Sequence, residues 1–401
     1  MLHAREFWIR RAGLDRVLAR RRALLREKRA GRTNVVERNP CLISAEFREK
    51  YGKPERRTVR DWIDGMASAP QARLNSLQVG RGIAAFAVLL HHAEQSVVRF
   101  SGDLPAIISV PFSHGYLGVD FFFVLSGFII YYVSHARVDE PGWPRSYVES
   151  RLTRVFLPYL PVSIAVAFSY MSLPSMASGE NDWDWFSTLT LLPSQGGPAL
   201  SPAWTLQHEL AFYAVAFVCL YYRKVLLGCI IGGIVAVSFD LLMRGTYKAF
   251  SMIDLEFIFG IFVAWCFING KLRYTVPLIL AGLALCAAFF VLDSRSWTVI
   301  FGLGVACLLL PIVRAESSGR LQSGAPLILL GNASYAIYLL HHPMVSVLVR
   351  ALRNAPPLAS LVITVAVPLG AGIAYHLMFE QRALDLSRDW LRKKSRVAET
   401  S

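Results

Sequence analysis

Long apolar segments alternate with short polar breaks from residue 77 onward, and this pattern predicts membrane-spanning helices. A helix needs about 20 largely apolar residues to cross the ~30 Å hydrocarbon core of a bilayer. We therefore expect an all-α, polytopic membrane helix bundle with about ten transmembrane helices. The apolar segments lie near residues 78–98, 115–134, 153–172, 204–222, 225–243, 252–269, 274–292, 296–313, 326–349 and 357–379.

The lysines and arginines of the connecting loops predict the orientation of the bundle. An even number of spans puts both termini on one side of the membrane. The loops on that side contain ten Lys and Arg residues, and the loops on the other side contain six. Cytoplasmic loops carry the excess of positive charge. We expect both termini in the cytoplasm and the acidic loop 172–202 on the opposite side.

The two ends of the chain differ in charge from the apolar middle. Residues 1–65 contain 18 Lys and Arg against 9 Asp and Glu. This cytoplasmic extension is either a basic amphipathic helix at the membrane surface or a segment upstream of a true start at Met66. Residues 66–380 form the predicted membrane domain, and residues 381–401 form a basic cytoplasmic tail.

The composition excludes a water-soluble globular protein and a nucleic-acid-binding function. Of the 401 residues, 54% are hydrophobic and 17% are charged, and the mean hydropathy is +0.41. A net charge of +14 beside a membrane domain is explained by contact with anionic membrane lipid. The six cysteines have no CxxC spacing, so we expect no metal site and no disulfide framework.

Ionisable residues inside membrane helices are costly, so each one is a candidate functional residue. Arg81 and His92 are eleven residues apart, or about 1100° of helical rotation, and so share one face of the first helix. His91 points about 100° away. His92 lies ~16 Å deeper than Arg81, just past the middle of the bilayer. The alternative is a snorkelling arginine and a histidine that is part of the core.

Three other intramembrane residues come near the depth of His92. Asp120 and Glu209 lie ~8 Å below the outer edge, and His341 lies ~21 Å from the cytoplasmic edge. A proton-handling site needs such groups together, whereas independent core residues would scatter in depth.

Two further arginines, Arg151 and Arg154, open the third span at the cytoplasmic face, level with Arg81. Three arginines at one level suit the binding of phosphates. The alternative is that they only anchor the helices at the membrane surface.

These residues and their order resemble the acyltransferase-3 family of bacterial membrane acyltransferases, from about Leu74 to Phe379. In the residues of these motifs the chain is most similar to the exopolysaccharide acetyltransferases of rhizobia. It departs from the family at the opening motif, where Asn75 replaces an aspartate, so Asn75 inherits no role. The matching elements are Arg81 followed by His92, the segment 118–128 with Asp120, the RxxR pair Arg151 and Arg154, the segment 202–213 with Glu209, and the segment 334–341 with Tyr338 and His341.

The resemblance implies about ten spans and transfer of an acetyl group from acetyl-CoA to a sugar hydroxyl. The acceptor would be an exopolysaccharide or a lipid-linked oligosaccharide, with polysaccharide assembly machinery as a further partner. The enzyme would lie in the bacterial inner membrane. In such enzymes Arg81, Arg151 and Arg154 would hold the coenzyme A end of the donor, and His92 would take part in the transfer.

From these residues we expect His92 to act as general base. Glu209 or Asp120 would orient its ring, His341 would lie nearby, and Tyr338 would stabilise the oxyanion. An acetyl-His92 intermediate is the competing chemistry. Two alternative functions remain at this point: a transporter of glycans or lipid-linked sugars, and an acyltransferase that uses another donor such as succinyl-CoA.

Overall fold

The computed structural model describes residues 74–172, 182–194, 196–224, 227–228, 231–234, 254–292 and 297–400, the last nine as helix backbone only. Within these residues the protein is all-helical and contains no strand, which confirms the predicted fold class. The basic extension 1–65 lies outside the described residues, so the expectations for it stay predictions.

The helices follow one another along the chain with short connections. They are α1 (Asn75–Phe100), α2 (Ala106–Ser113), α3 (Leu117–His135), α4 (Trp143–Ser172), α5 (Trp185–Thr190), α6 (Trp204–Tyr221), α7 (Asp254–Ile268), α8 (Thr275–Leu292), α9 (Thr298–Ser317), α10 (Ala325–Asn332), α11 (Ser334–Ala351), α12 (Pro357–Tyr375) and α13 (Gln381–Thr400). A 3-10 turn, Ser201–Ala203, precedes α6, and a π-helical turn, His376–Glu380, joins α12 to α13.

Six helical segments of the described chain are long and apolar enough to cross a membrane. A membrane helix bundle is therefore present, while the count of about ten spans and the cytoplasmic termini stay predictions. The six segments are Ala106–His135, Trp143–Ser172, Ser201–Tyr221, Thr275–Leu292, Thr298–Ser317 and Pro357–Leu391.

The other four predicted spans differ from these six for separate reasons. The segment 225–243 lies largely outside the described residues. The segment 252–269 forms α7, whose 15 described residues span about 22 Å and begin at the edge of the described range. The segment 326–349 is divided at Ala333 into α10 and α11. The first predicted span forms α1, which, like α11, is less apolar than the six because it carries polar residues of the candidate site.

Helix α1 lies at the centre of the bundle, in contact with α3, α10, α11 and α12. The Glu316 carboxylate of α9 caps its start. It accepts hydrogen bonds from the Asn75 backbone at 2.6 Å, the Ser76 backbone at 3.0 Å and the Ser76 hydroxyl at 2.5 Å. Because the first N–H groups of a helix have no partner within it, this carboxylate fixes the end of α1 from which Arg81 projects.

Glycines allow α3 and α7 to approach at backbone distance. A Cβ atom on Gly127 would lie 2.0 Å from the Phe257 carbonyl oxygen, and one on Gly260 would lie 2.1 Å from that of Val124. Small residues permit such close helix packing inside membranes, where association depends on van der Waals contact. This crossing holds α3, and with it one wall of the candidate site, in place.

Buried tyrosine hydroxyls tie α4 to the other helices around the site. Tyr335 donates to the Val155 carbonyl at 2.9 Å, and Tyr375 donates to the Pro158 carbonyl at 2.9 Å. Tyr147 donates to the Tyr213 carbonyl at 3.0 Å. These bonds connect α4 to α11, α12 and α6, so the arginines and histidines on different helices share one rigid frame.

Candidate active site

Four histidines from two helices meet inside the bundle. The ring centre of His92 lies 5.2 Å from that of His341, 5.2 Å from that of His342 and 5.3 Å from that of His91. His341 and His91 are buried, at 1% and 5% exposure. The structure thus brings His92 of α1 beside His341 of α11, two residues that are nearly 250 positions apart in the sequence.

The hydrogen bonding of His341 defines its tautomer. Its Nδ1 lies 2.6 Å from the Tyr338 carbonyl oxygen, and because a carbonyl only accepts, Nδ1 carries the proton. Nε2 of the neutral ring is then an acceptor. This atom is buried and has no hydrogen-bond partner among the described residues. A buried acceptor without a donor is costly, and the His92 ring is a neighbour of this one, with its centre 5.2 Å away.

A cavity of about 160 Å³ lies beside this cluster, and we call it the histidine cavity. His91, His92 and His342 line it, whereas His341 lies behind His92 and does not. The residue expected to serve only packing, His91, therefore also faces the cavity, because the cavity extends around α1 to Tyr116. The remaining lining residues are Val88, Tyr116, Val119, Ser201, Pro202, Trp204 and Tyr338.

The Tyr338 hydroxyl is fixed at the wall of the histidine cavity. It lies 2.9 Å from the Thr205 hydroxyl and 3.3 Å from the Pro202 carbonyl oxygen, to which it donates. Thr205 also donates to the Pro202 carbonyl, at 3.0 Å. The start of α6 and the 3-10 turn before it thus hold the phenol that sequence reasoning assigned to the oxyanion.

A narrow apolar slot continues from the histidine cavity toward Glu209. Its void of about 20 Å³ holds about one water molecule. Val88, Val119 and Tyr338 line both the slot and the histidine cavity. The Glu209 carboxylate lines the slot and accepts a hydrogen bond from the Tyr213 hydroxyl.

Arg81 lies buried beside this slot. It is 7% exposed, and its guanidinium carbon lies 5.1 Å from the ring centre of Phe122, which lines the slot. Its Nε has no hydrogen-bond partner among the described residues. Arg154 and Glu209 are close enough to act on it electrostatically.

A second cavity, of about 210 Å³, lies where α3, α4 and α13 meet, and we call it the arginine cavity. Four arginines and no carboxylate line it. Arg151 donates to the Ser134 hydroxyl at 3.2 Å, and its buried Nε has no hydrogen-bond partner among the described residues. The four are Arg137, Arg151, Arg154 and Arg388, accompanied by the hydroxyl side chains Ser134, Ser146, Ser150, Thr153 and Ser387.

Asp120 lies away from the histidines. Its side chain is 2% exposed and is within hydrogen-bond reach of Glu256 and Thr298, on α7 and α9. The ring centre of His341 lies 5.2 Å from that of His92, and the orientation of His92 by Glu209 or Asp120 stays a prediction.

Sequence reasoning did not single out His342, Arg137 or Arg388. His342 follows His341 directly, and the adjacent pair was a signal that both could reach one cavity. Arg137 and Arg388 stand outside the helical spacings that linked Arg151 to Arg154. The arginines of the cavity come together through the contact between α13 and α4, which no local sequence pattern predicts.

The described helices define a helical membrane protein whose bundle contains one cavity lined by histidines and another lined by arginines. Over residues 74–376 the chain matches the family described as acyltransferase domain, and it belongs to this acyltransferase-3 family. The resemblance recognised from the sequence motifs is confirmed.

Two curated relatives are proteins of rhizobia. The chain is 29% identical over 305 residues to the exopolysaccharide production protein ExoZ of Rhizobium meliloti (strain 1021), which covers 69% of this chain and 92% of ExoZ. It is 29% identical over 175 residues to protein 2 in the picA locus of Rhizobium radiobacter, which covers 37% of this chain and 84% of that protein. No solved structure is significantly similar to the chain.

Proposed function

We propose that this acyltransferase moves an acetyl group from cytoplasmic acetyl-CoA to a hydroxyl of an exopolysaccharide or a lipid-linked glycan in the bacterial inner membrane. The observation that carries the proposal is the presence in one helical bundle of two cavities, one lined by four arginines and the other by three histidines. An arginine cavity suits the phosphates of coenzyme A, and a histidine cavity suits a general base. The name of the relative ExoZ supports the choice of an exopolysaccharide acceptor.

The donor would bind with its phosphates on Arg151 and Arg154 and with its thioester pointing to His92. Buried Arg81 lies between the two ends, where its charge would attract the polar pantetheine arm. The slot holds only about one water molecule, so the arm can enter only when the side chains along it, such as Phe122, move apart. Closure of these side chains around the bound arm would keep water from the thioester.

His92 would remove the proton from the acceptor hydroxyl as that oxygen attacks the thioester carbonyl carbon. The new C–O bond forms while the C–S bond breaks, and the proton passes from the imidazolium to the departing thiolate. The atoms and charges then balance as acetyl ester and free coenzyme A. Nε2 of His341 would accept the N–H of His92 and so leave the other nitrogen of His92 unprotonated toward the cavity. The Tyr338 hydroxyl would turn its proton from the Pro202 carbonyl oxygen to the developing oxyanion and stabilise it.

The test uses the purified full-length protein with labelled acetyl-CoA and a deacetylated rhizobial exopolysaccharide. We expect free coenzyme A and acetyl ester to appear together, with no turnover when the polysaccharide is omitted. A transporter would release no coenzyme A, and a chain specific for another acyl group would turn over succinyl-CoA but not acetyl-CoA. Either of these results would overturn the proposal.

A further inference from the structure

The arginine cavity extends onto a helix outside the family match. Helix α13 begins at Gln381, whereas the matching region ends at residue 376. Four residues of α13 line the cavity opposite α3 and α4: Leu384, Ser387, Arg388 and Leu391. We propose that Arg388 completes the donor site by binding the 3′-phosphate of coenzyme A, an inference that rests on the proposed function.

The depth of the arginines in the cavity supports this assignment. The side chains of Arg388 and Arg137 are 60% and 53% exposed, whereas Nε of Arg151 is buried. In coenzyme A the diphosphate lies between the pantetheine arm and the adenosine, and the 3′-phosphate lies beyond it. A donor whose thioester points toward His92 therefore has its diphosphate near the deep arginines and its 3′-phosphate at the exposed mouth.

The charge of the arginine cavity also supports the assignment of Arg388 to the 3′-phosphate. A phosphomonoester carries about −1.5 to −2 charges at neutral pH, and the diphosphate adds about two more negative charges. The lining contains four arginines and no carboxylate. The two exposed arginines are paired with carboxylates outside the lining, Arg137 with Glu140 and Arg388 with Asp385, in surface pairs that a phosphate can displace. Arg151 and Arg154 alone would leave the monoester without a counter-charge.

A bound phosphate must compete with one carboxylate for Arg388. Nη1 of Arg388 donates to Oδ1 of Asp385 at 3.0 Å, within the same helix. Both side chains are more than half exposed, so this ion pair is weak. A phosphate dianion offers more charge and three acceptor oxygens, and it can take the guanidinium from Asp385.

The experiment compares the affinities of the full-length protein in detergent for coenzyme A and for 3′-dephospho-coenzyme A. We expect the wild type to prefer coenzyme A. Arg388→Ala should weaken coenzyme A binding about three- to tenfold and leave the affinity for the dephospho form unchanged. Arg388→Lys should lie between the two, because lysine keeps the charge but loses the planar fork.

Arg382→Ala is the matched control, since it removes the same charge from the same helix at a residue that does not line the cavity. It should leave both affinities unchanged. If Arg388→Ala lowers the affinities for both ligands equally, or lowers neither, the inference is overturned while the donor site stays intact. Failure of the wild type to bind either ligand would instead overturn the proposed function.

Discussion

At the residue scale, the histidine pair is the feature on which the chemistry depends. His341 is fixed by its bond to the Tyr338 carbonyl, and its free Nε2 lies next to the His92 ring. Under the proposed function it would act through His92 and not on the substrate, as a positioning residue. The two histidines together resemble the arrangement in which a general base is oriented by a second group.

Replacing His341 with phenylalanine keeps the ring and removes the acceptor. We expect kcat to fall about ten- to hundredfold, because a lost hydrogen bond to a group that becomes charged costs ~1.5–3 kcal/mol, while KM for acetyl-CoA stays nearly constant. Steady-state kinetics with both substrates provides the measurement. A rise in KM with kcat unchanged would show that His341 supports binding instead.

Tyr338 offers a second test at the same scale. Tyr338→Phe removes one hydroxyl from the wall of the histidine cavity, and the loss of one oxyanion donor commonly lowers kcat by 10²–10³-fold. Tyr221→Phe is the control, since Tyr221 is 53% exposed and does not line the cavity. If both variants retain wild-type kcat, the oxyanion must be stabilised by another group.

At the element scale, the position of α3 depends on its glycine contact with α7. Gly127→Ala would place a Cβ 2.0 Å from the Phe257 carbonyl oxygen, so the helices must separate. We expect a loss of ~1–3 kcal/mol in stability and a lower Tm in detergent, as measured by thermal unfolding.

Gly370→Ala in α12 is the matched control for this substitution. No atom lies within 4 Å of a Cβ there, and alanine is the better helix former by ~1 kcal/mol. Its Tm should therefore stay constant or rise. A Gly127→Ala protein as stable as Gly370→Ala would mean that the α3–α7 contact is not tight.

The elements themselves could be predicted in large part from the sequence. An apolar run long enough to span a bilayer can be recognised without knowing which helices pack against it. The helical repeat alone places Arg81 and His92 on one face of α1. The rise per residue of a helix predicts that His341 lies at the membrane depth of His92, but it predicts the same depth for Asp120. The structure gives Asp120 a different partner, Glu256, because lateral position depends on which helices are neighbours.

The helix boundaries show the same limit. The division of the segment 326–349 at Ala333 carries no strong sequence signal. It accompanies the close packing of α10 on α1, where a Cβ on Gly331 would lie 2.0 Å from the Gln78 carbonyl oxygen. Contacts of this kind join residues about 250 positions apart, and local propensity contains no information about them.

At the scale of the whole molecule, the candidate residues all lie within residues 74–391. The family match begins at residue 74 and therefore contains none of the basic extension 1–65. We expect a chain that starts at Met66 to keep the wild-type kcat and acetyl-CoA affinity, measured on equal amounts of inserted protein. A well-inserted but inactive chain would place part of the function in the extension.

The central claim is that two cavities of one bundle divide the work, with donor binding at the arginines and transfer at His92. It is tested most directly by measuring acetyl-CoA affinity and transfer rate side by side in two variants. His92→Ala should lower transfer by ~10²–10⁴-fold and keep donor affinity. Arg151→Ala combined with Arg154→Ala should weaken donor affinity by about tenfold or more. If His92→Ala transfers at the wild-type rate, or the double variant binds acetyl-CoA as tightly as the wild type, the division of work between the cavities is contradicted.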